Sequence, residues 1–138
     1  MSASVVSLFP AVVPPQPVRL NQGRKAPVPQ RQWYGASGRR YAHSVYSLVE
    51  CPPVPKATYL LVRRDAGGLQ TVLHVGIGDS DAPTLNLAQI RHRGAQLGAN
   101  EVHIRFGARS DAARSLAALD LRAGLFGELT AEPSRACA

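Results

Sequence analysis

Tyr59, His74 and the run Arg91-His92-Arg93 are the residues of this chain best suited to chemistry. Tyr59 lies in TYLLVRR and His74 in TVLHVGI, two apolar stretches on either side of the turn-forming run Asp65-Ala66-Gly67-Gly68. An imidazole titrates near neutrality, so His74 suits a proton acceptor; a lone strand histidine is more often a structural polar group. Tyr59 is either a functional phenol or an ordinary strand aromatic. Arg91 and Arg93 offer guanidinium groups to a phosphate, or form a solvated helix face. Gly76 and Gly78 (GIG) suggest a phosphate loop, but no helix start follows at once and the fuller glycine signature is missing. His92 and His103 lack a third ligand at zinc spacing. Cys51 and Cys137 have no partner at metal-ligand spacing either, so no metal site is expected. Both cysteines read as free thiols of a reducing compartment.

These residues need strands and a helix to hold them. From Gly38 onward, apolar β-prone runs predict strands over 44–49, 58–64, 71–77 and 101–106. The second and third form a hairpin around the 65–68 turn, which brings Tyr59 and His74 onto adjacent strands. A helix is predicted over 85–97, with apolar surface from Leu85, Leu87, Ala88, Ile90, Ala95 and Leu97, and Gly98 at its C′ position. A second, over 111–125, is capped by Ser110 or Asp111 and buries Ala113, Leu116, Ala117, Leu121 and Leu125. The order β-β-β-α-β-α predicts an α+β fold: a small, mainly antiparallel sheet with two covering helices.

Ahead of this domain, 1–37 reads as a flexible arm. Six of the eleven prolines lie there, and proline interrupts both helix and sheet. After 127 the tail is expected to fray. The net charge is +7, with a sequence pI near 10.3. Residues 1–49 hold Arg19, Arg24, Lys25, Arg31, Arg39 and Arg40 and no acidic side chain, so the basic character concentrates at the N-terminal end. Such a segment attracts polyanions without a fixed structure. The absence of a long apolar run excludes a membrane span, and the apolar stretch 5–13 lacks the charged start of a signal peptide, so a cytoplasmic location is expected.

Taken together, the motifs resemble the GIY-YIG nuclease superfamily. Val54-Pro55-Lys56-Ala57-Thr58-Tyr59-Leu60-Leu61 is similar to its first motif, with Tyr59 at the motif tyrosine. Leu73-His74-Val75-Gly76 is similar to the second, with His74 in place of tyrosine and Gly76 at the glycine. Leu97-Gly98-Ala99-Asn100-Glu101-Val102-His103-Ile104 resembles the "hGAthvHv" stretch of a bacterial branch, and Ala113-Arg114 through Asp120-Leu121 resembles that branch's "aR..iE.DL" segment. The resemblance spans roughly residues 38–125.

In that family the tyrosines and an arginine position water and the scissile phosphate, and a glutamate holds a divalent metal. The resemblance therefore implies site roles for Tyr59, His74 and either Arg91 or Arg93. The glutamate is matched by Ala118, which cannot bind metal. Asp120 lies two residues on, about 200° around a helix, and cannot simply replace it. The implied reading is a catalytically degenerate domain that binds DNA or RNA non-specifically. Its phosphate contacts come from Arg19, Arg24, Lys25, Arg31, Arg39, Arg40 and Arg93, and it needs no cofactor. Two alternatives stand beside it. One is an active Mg²⁺-dependent endonuclease with a relocated ligand such as Asp79, Asp81 or Asp120. The other is a protein-interaction module with a proline-rich arm.

Overall fold

A computed structural model describes residues 27–127. Five strands and two helices follow one another: β1 (Gln30–Tyr34), β2 (Arg40–Ser47), β3 (Ala57–Arg64), β4 (Gln70–Gly78), α1 (Pro83–Leu97), β5 (Glu101–Arg105) and α2 (Asp111–Phe126). The sheet order is β1-β2-β5-β3-β4, and every neighbouring pair is antiparallel. This is the expected α+β class with one strand more at the N-terminal end. No helix among the described residues is long and apolar enough to cross a membrane.

The run ATYLLV in β3 explains the architecture. All six residues are buried because β4 and β5 flank this strand and a helix covers each face. Successive side chains of a strand point to opposite faces. Leu60 and Val62 accordingly pack with Trp33, Tyr41, Val75 and the α2 residues Ala117, Ala118 and Leu121. Tyr59 and Leu61 pack on the other side with Val54, Val102, Ile104 and Ile90 of α1.

Several expectations move. The arm does not extend to 37: Gln30–Tyr34 form the edge strand β1, and Trp33 is buried in the core. The polar run QRQWY hides this strand, because a single buried aromatic carries it and prolines are tolerated at its edge. Arg31 is likewise a folded residue, its guanidinium 3.8 Å above the Trp33 ring and donating to Gln70. Residues 1–26, with Arg19, Arg24 and Lys25, and the tail with Cys137 lie outside the described residues. Strand β2 starts at Arg40 rather than 44, with Tyr41 and His43 buried, and Val49 is exposed.

The helices keep part of the expected buried stripes, Leu87 and Ile90 in α1 and Ala117, Leu121 and Leu125 in α2, and the rest moves. In α1 the inner residues are Asn86, Ile90 and Gly94, while Leu85 and Leu97 are exposed. Asn86 is there to bond: its Nδ2 donates to the Val54 and Ser80 carbonyls at 2.9 Å, and its Oδ1 accepts from Ser80 N. Gly94 leaves room for Leu48, which a Cβ would meet at 2.9 Å. Gly98 does close α1 at φ 82°, and Ser110 is the α2 cap, accepting from Ala113 N at 3.0 Å. In α2 small residues let the helix sit close to the sheet, and Leu116 turns outward, 67% exposed.

Candidate nucleic-acid interface

The hairpin places Tyr59 and His74 on neighbouring strands. Tyr59 pairs with Gly76 and His74 with Leu61, and the Tyr59 and His74 rings lie 6.1 Å apart at 51°. Strand β4 is a sheet edge, so His74 stands at the rim of the molecule, half-buried.

Two guanidinium groups reach this rim from opposite sides of the sheet. Arg93 of α1 puts Nη1 3.5 Å from His74 Nε2. A guanidinium only donates, so Nε2 must be the bare acceptor nitrogen. From α2, Arg122 donates through Nη2 to the Val75 carbonyl at 2.9 Å, covering part of the open edge. His74, Arg122 and Phe126 line a notch of about 280 Å³ together with Leu73 and Val75. Neither Arg93 nor Arg122 has a carboxylate partner among the described residues.

This setting biases His74 toward its neutral form. Burial lowers its pKa first, and the positive charges of Arg93 and Arg122 lower it further. Burial raises the Tyr59 phenol; the same arginines partly oppose that shift, and Asp79 adds to it. At neutral pH the group is a neutral imidazole and a neutral phenol beside two unpaired cations. Two guanidinium groups without carboxylate partners can donate to an anion.

The other expected site residues are placed elsewhere. Arg91 faces away from His74 and staples the segment after β2, donating to the carbonyls of Leu48, Val49 and Cys51 at 3.2, 2.9 and 3.2 Å. Gly76 sits beneath the Tyr59 ring. Ala118 is 1% exposed and lies in the core under α2, on the face opposite Tyr59. Arg39 and Arg40 are exposed around the β1–β2 turn. Of the carboxylates weighed as relocated ligands, Asp120 and Asp81 are committed to other partners. Asp120 accepts from Ser37 N, Ser37 Oγ and Tyr41 Oη at 2.9, 2.6 and 2.8 Å. Asp81 pairs with Lys56 at 3.3 Å. Among the described residues no three His, Cys, Asp or Glu side chains come together as metal ligands. Cys51 is free and buried, its thiol pushed up to about 11 chiefly by desolvation.

Sequence reasoning missed Arg122. Its one signal is spacing: it stands a helical turn after Ala118, but its approach to β4 depends on how α2 docks. The reasoning also missed a polar network behind β5. Trp33 Nε1 donates to His103 Nδ1 at 2.9 Å, which fixes the imidazole proton on Nε2, where it meets Glu101 Oε1 at 3.0 Å. With both nitrogens engaged and no exposure, His103 is structural.

No family model, no curated protein and no solved structure matches this chain.

Proposed function

We propose that this protein is a nucleic-acid-binding domain, a catalytically degenerate relative of the GIY-YIG fold that holds DNA or RNA by its phosphates without sequence preference. The observation that carries this reading is the β4 edge, where Arg93 lies beside His74, Arg122 lines the adjoining notch, and neither guanidinium is paired to a carboxylate among the described residues. Unpaired arginines at an open rim suit phosphate oxygens, and the wider charge agrees. Across residues 27–127, twelve Lys and Arg stand against seven Asp and Glu. Arg39, Arg40 and the basic residues ahead of 27 add sequence-independent attraction.

The test is a binding titration of the full chain on duplex and single-stranded oligonucleotides at several salt concentrations. Each phosphate neutralised adds about −0.9 to the slope of log affinity against log salt on duplex DNA. Arg93→Ala with Arg122→Ala is expected to weaken binding and flatten the slope by up to about 1.8. Equal slope and affinity for wild type and double variant would remove the notch from the interface. Mg²⁺- or Mn²⁺-dependent cleavage that is lost in His74→Ala would replace this reading with that of a nuclease.

A further inference from the structure

The edge strand β1 hangs on one side chain. Of its five residues Trp33 alone is buried. Among the described strands its backbone pairs with β2 only. Across β2, Trp33 Nε1 donates to His103 Nδ1 of β5 at 2.9 Å, and Arg31, stacked on the Trp33 ring, donates to Gln70 of β4. His103 is fully buried with both ring nitrogens committed, Nδ1 to Trp33 and Nε2 to Glu101 Oε1 at 3.0 Å. An indole N–H only donates, so Nδ1 is the bare acceptor and Nε2 carries the proton. A second proton on the ring has one place to go, Nδ1, where it faces the indole N–H. Protonated His103 and the bond that anchors β1 therefore exclude each other.

We propose that Trp33 and His103 form an acid-released latch: proton uptake by His103 detaches β1 while β2, β5, β3, β4 and the two helices stay folded. The topology favours local release, because β1 lies at the sheet edge whereas β5 is paired on both sides, by β2 and β3. The surroundings set the direction. Desolvation disfavours the charged ring most; Glu101 on the same strand favours it, and Arg31 of β1 and Arg64 of β3 oppose it, which leaves His103 below the ordinary imidazole value in the closed state. His43 of β2 is a second imidazole, repelled when charged by His103 and by Arg105 of β5. Gln70 of β4 is neutral, and the α2 residues packed in the Trp33 cluster, Ala117, Ala118 and Leu121, are apolar. In the released state water reaches the ring, and its value returns to about 6.5. The latch is thus closed above that pH, and opening grows as pH falls, by up to about tenfold per unit for one proton. Release opens the β2 edge and frees the Arg31 guanidinium from Gln70.

Hydrogen exchange of the full chain across the histidine titration range tests this. After correction for intrinsic exchange, opening of the β1 amides is expected to rise by up to about tenfold per pH unit below about 6.5, with the β3 amides lagging well behind. Trp33 is the chain's one tryptophan, so its emission and its indole N–H resonance report the same event without an added probe. His103→Asn keeps an acceptor oxygen for Trp33, His103→Gln keeps a polar group for Glu101, and neither side chain titrates. Each is expected to flatten the β1 slope, and either one that folds decides; His43→Gln is expected to keep the slope. Opening of β1 and β3 in step, a Trp33 signal that moves only with global unfolding, or a slope retained in a folded His103 variant overturns the inference.

Discussion

The Tyr59 ring lies across the backbone of Gly76, its partner in the β3–β4 register, so that a Cβ at residue 76 would stand 2.5 Å from both Cζ and Oη. The glycine provides the space in which Tyr59 lies beside His74. Gly76→Ala therefore displaces the ring and is expected to destabilise the fold by about 1–3 kcal/mol. Tyr59→Ala removes the obstacle, so Gly76→Ala should cost markedly less in that background. Urea unfolding of the two single variants and the double variant measures the coupling; simple additivity would show that the ring moves aside freely.

Stability is expected to fall with acid in a window set by His43. This side chain is fully buried, its Nδ1 bonds the Tyr41 carbonyl at 2.9 Å, and its Nε2 has no partner among the described residues. Desolvation lowers its pKa from 6.5 to about 4; the Tyr41 carbonyl opposes the shift, and His103 and Arg105 reinforce it. Between those values the unfolded chain binds the extra proton. The contribution is complete above pH 6.5 and is lost as pH falls toward 4, of order 3 kcal/mol in all. His103 and His74, also held below their usual value, add in the same direction. Urea midpoints at a series of pH values should decline across this range, and less steeply in His43→Gln. An unchanged slope in that variant would place the titration elsewhere.

Placing a carboxylate at Ala118, the position that resembles the GIY-YIG metal ligand, is expected not to create a metal site. Ala118 is surrounded by Trp33, Leu60, Val75 and Leu121, on the sheet face away from Tyr59. Ala118→Glu buries an acid among apolar side chains and is expected to cost more than about 3 kcal/mol. Thermal melts with and without Mn²⁺ check both parts: a folded variant stabilised by the metal would contradict this placement.

Chains starting at 27 and at 38 should differ sharply. The first keeps every described element. The second lacks β1, and with it the Trp33 bond to His103 and the packing of Gly124 against the 34–36 backbone. Loss of the buried Trp33 side chain alone is worth about 3–5 kcal/mol. Circular dichroism and urea unfolding of the two truncations measure the difference; comparable stability would return β1 to the arm.

Periodicity and punctuation were enough for much of this fold. The TYLLV and TVLHV runs around DAGG specified the β3–β4 hairpin, since a turn rich in glycine joins two apolar runs in only a few ways. Gly98 and Ser110 marked a helix end and a helix start, because cap chemistry is local. The approach of Tyr59 to His74 followed from the same hairpin. What stayed hidden depends on contacts between distant segments. Strand β1 has almost no apolar pattern; it becomes a strand because Trp33 finds His103, seventy residues away. Arg91 and Arg93 are two positions apart and chemically identical. Only the docking of α1 sends one to the carbonyls of Leu48, Val49 and Cys51 and the other to His74. Arg122 joins the site only because α2 crosses the opposite face beside β4. Local sequence determined which segments became strands and helices, whereas the charge arrangement at the β4 edge was decided by the packing of two helices on a shared sheet, a choice set by long-range burial rather than by any neighbour in the chain.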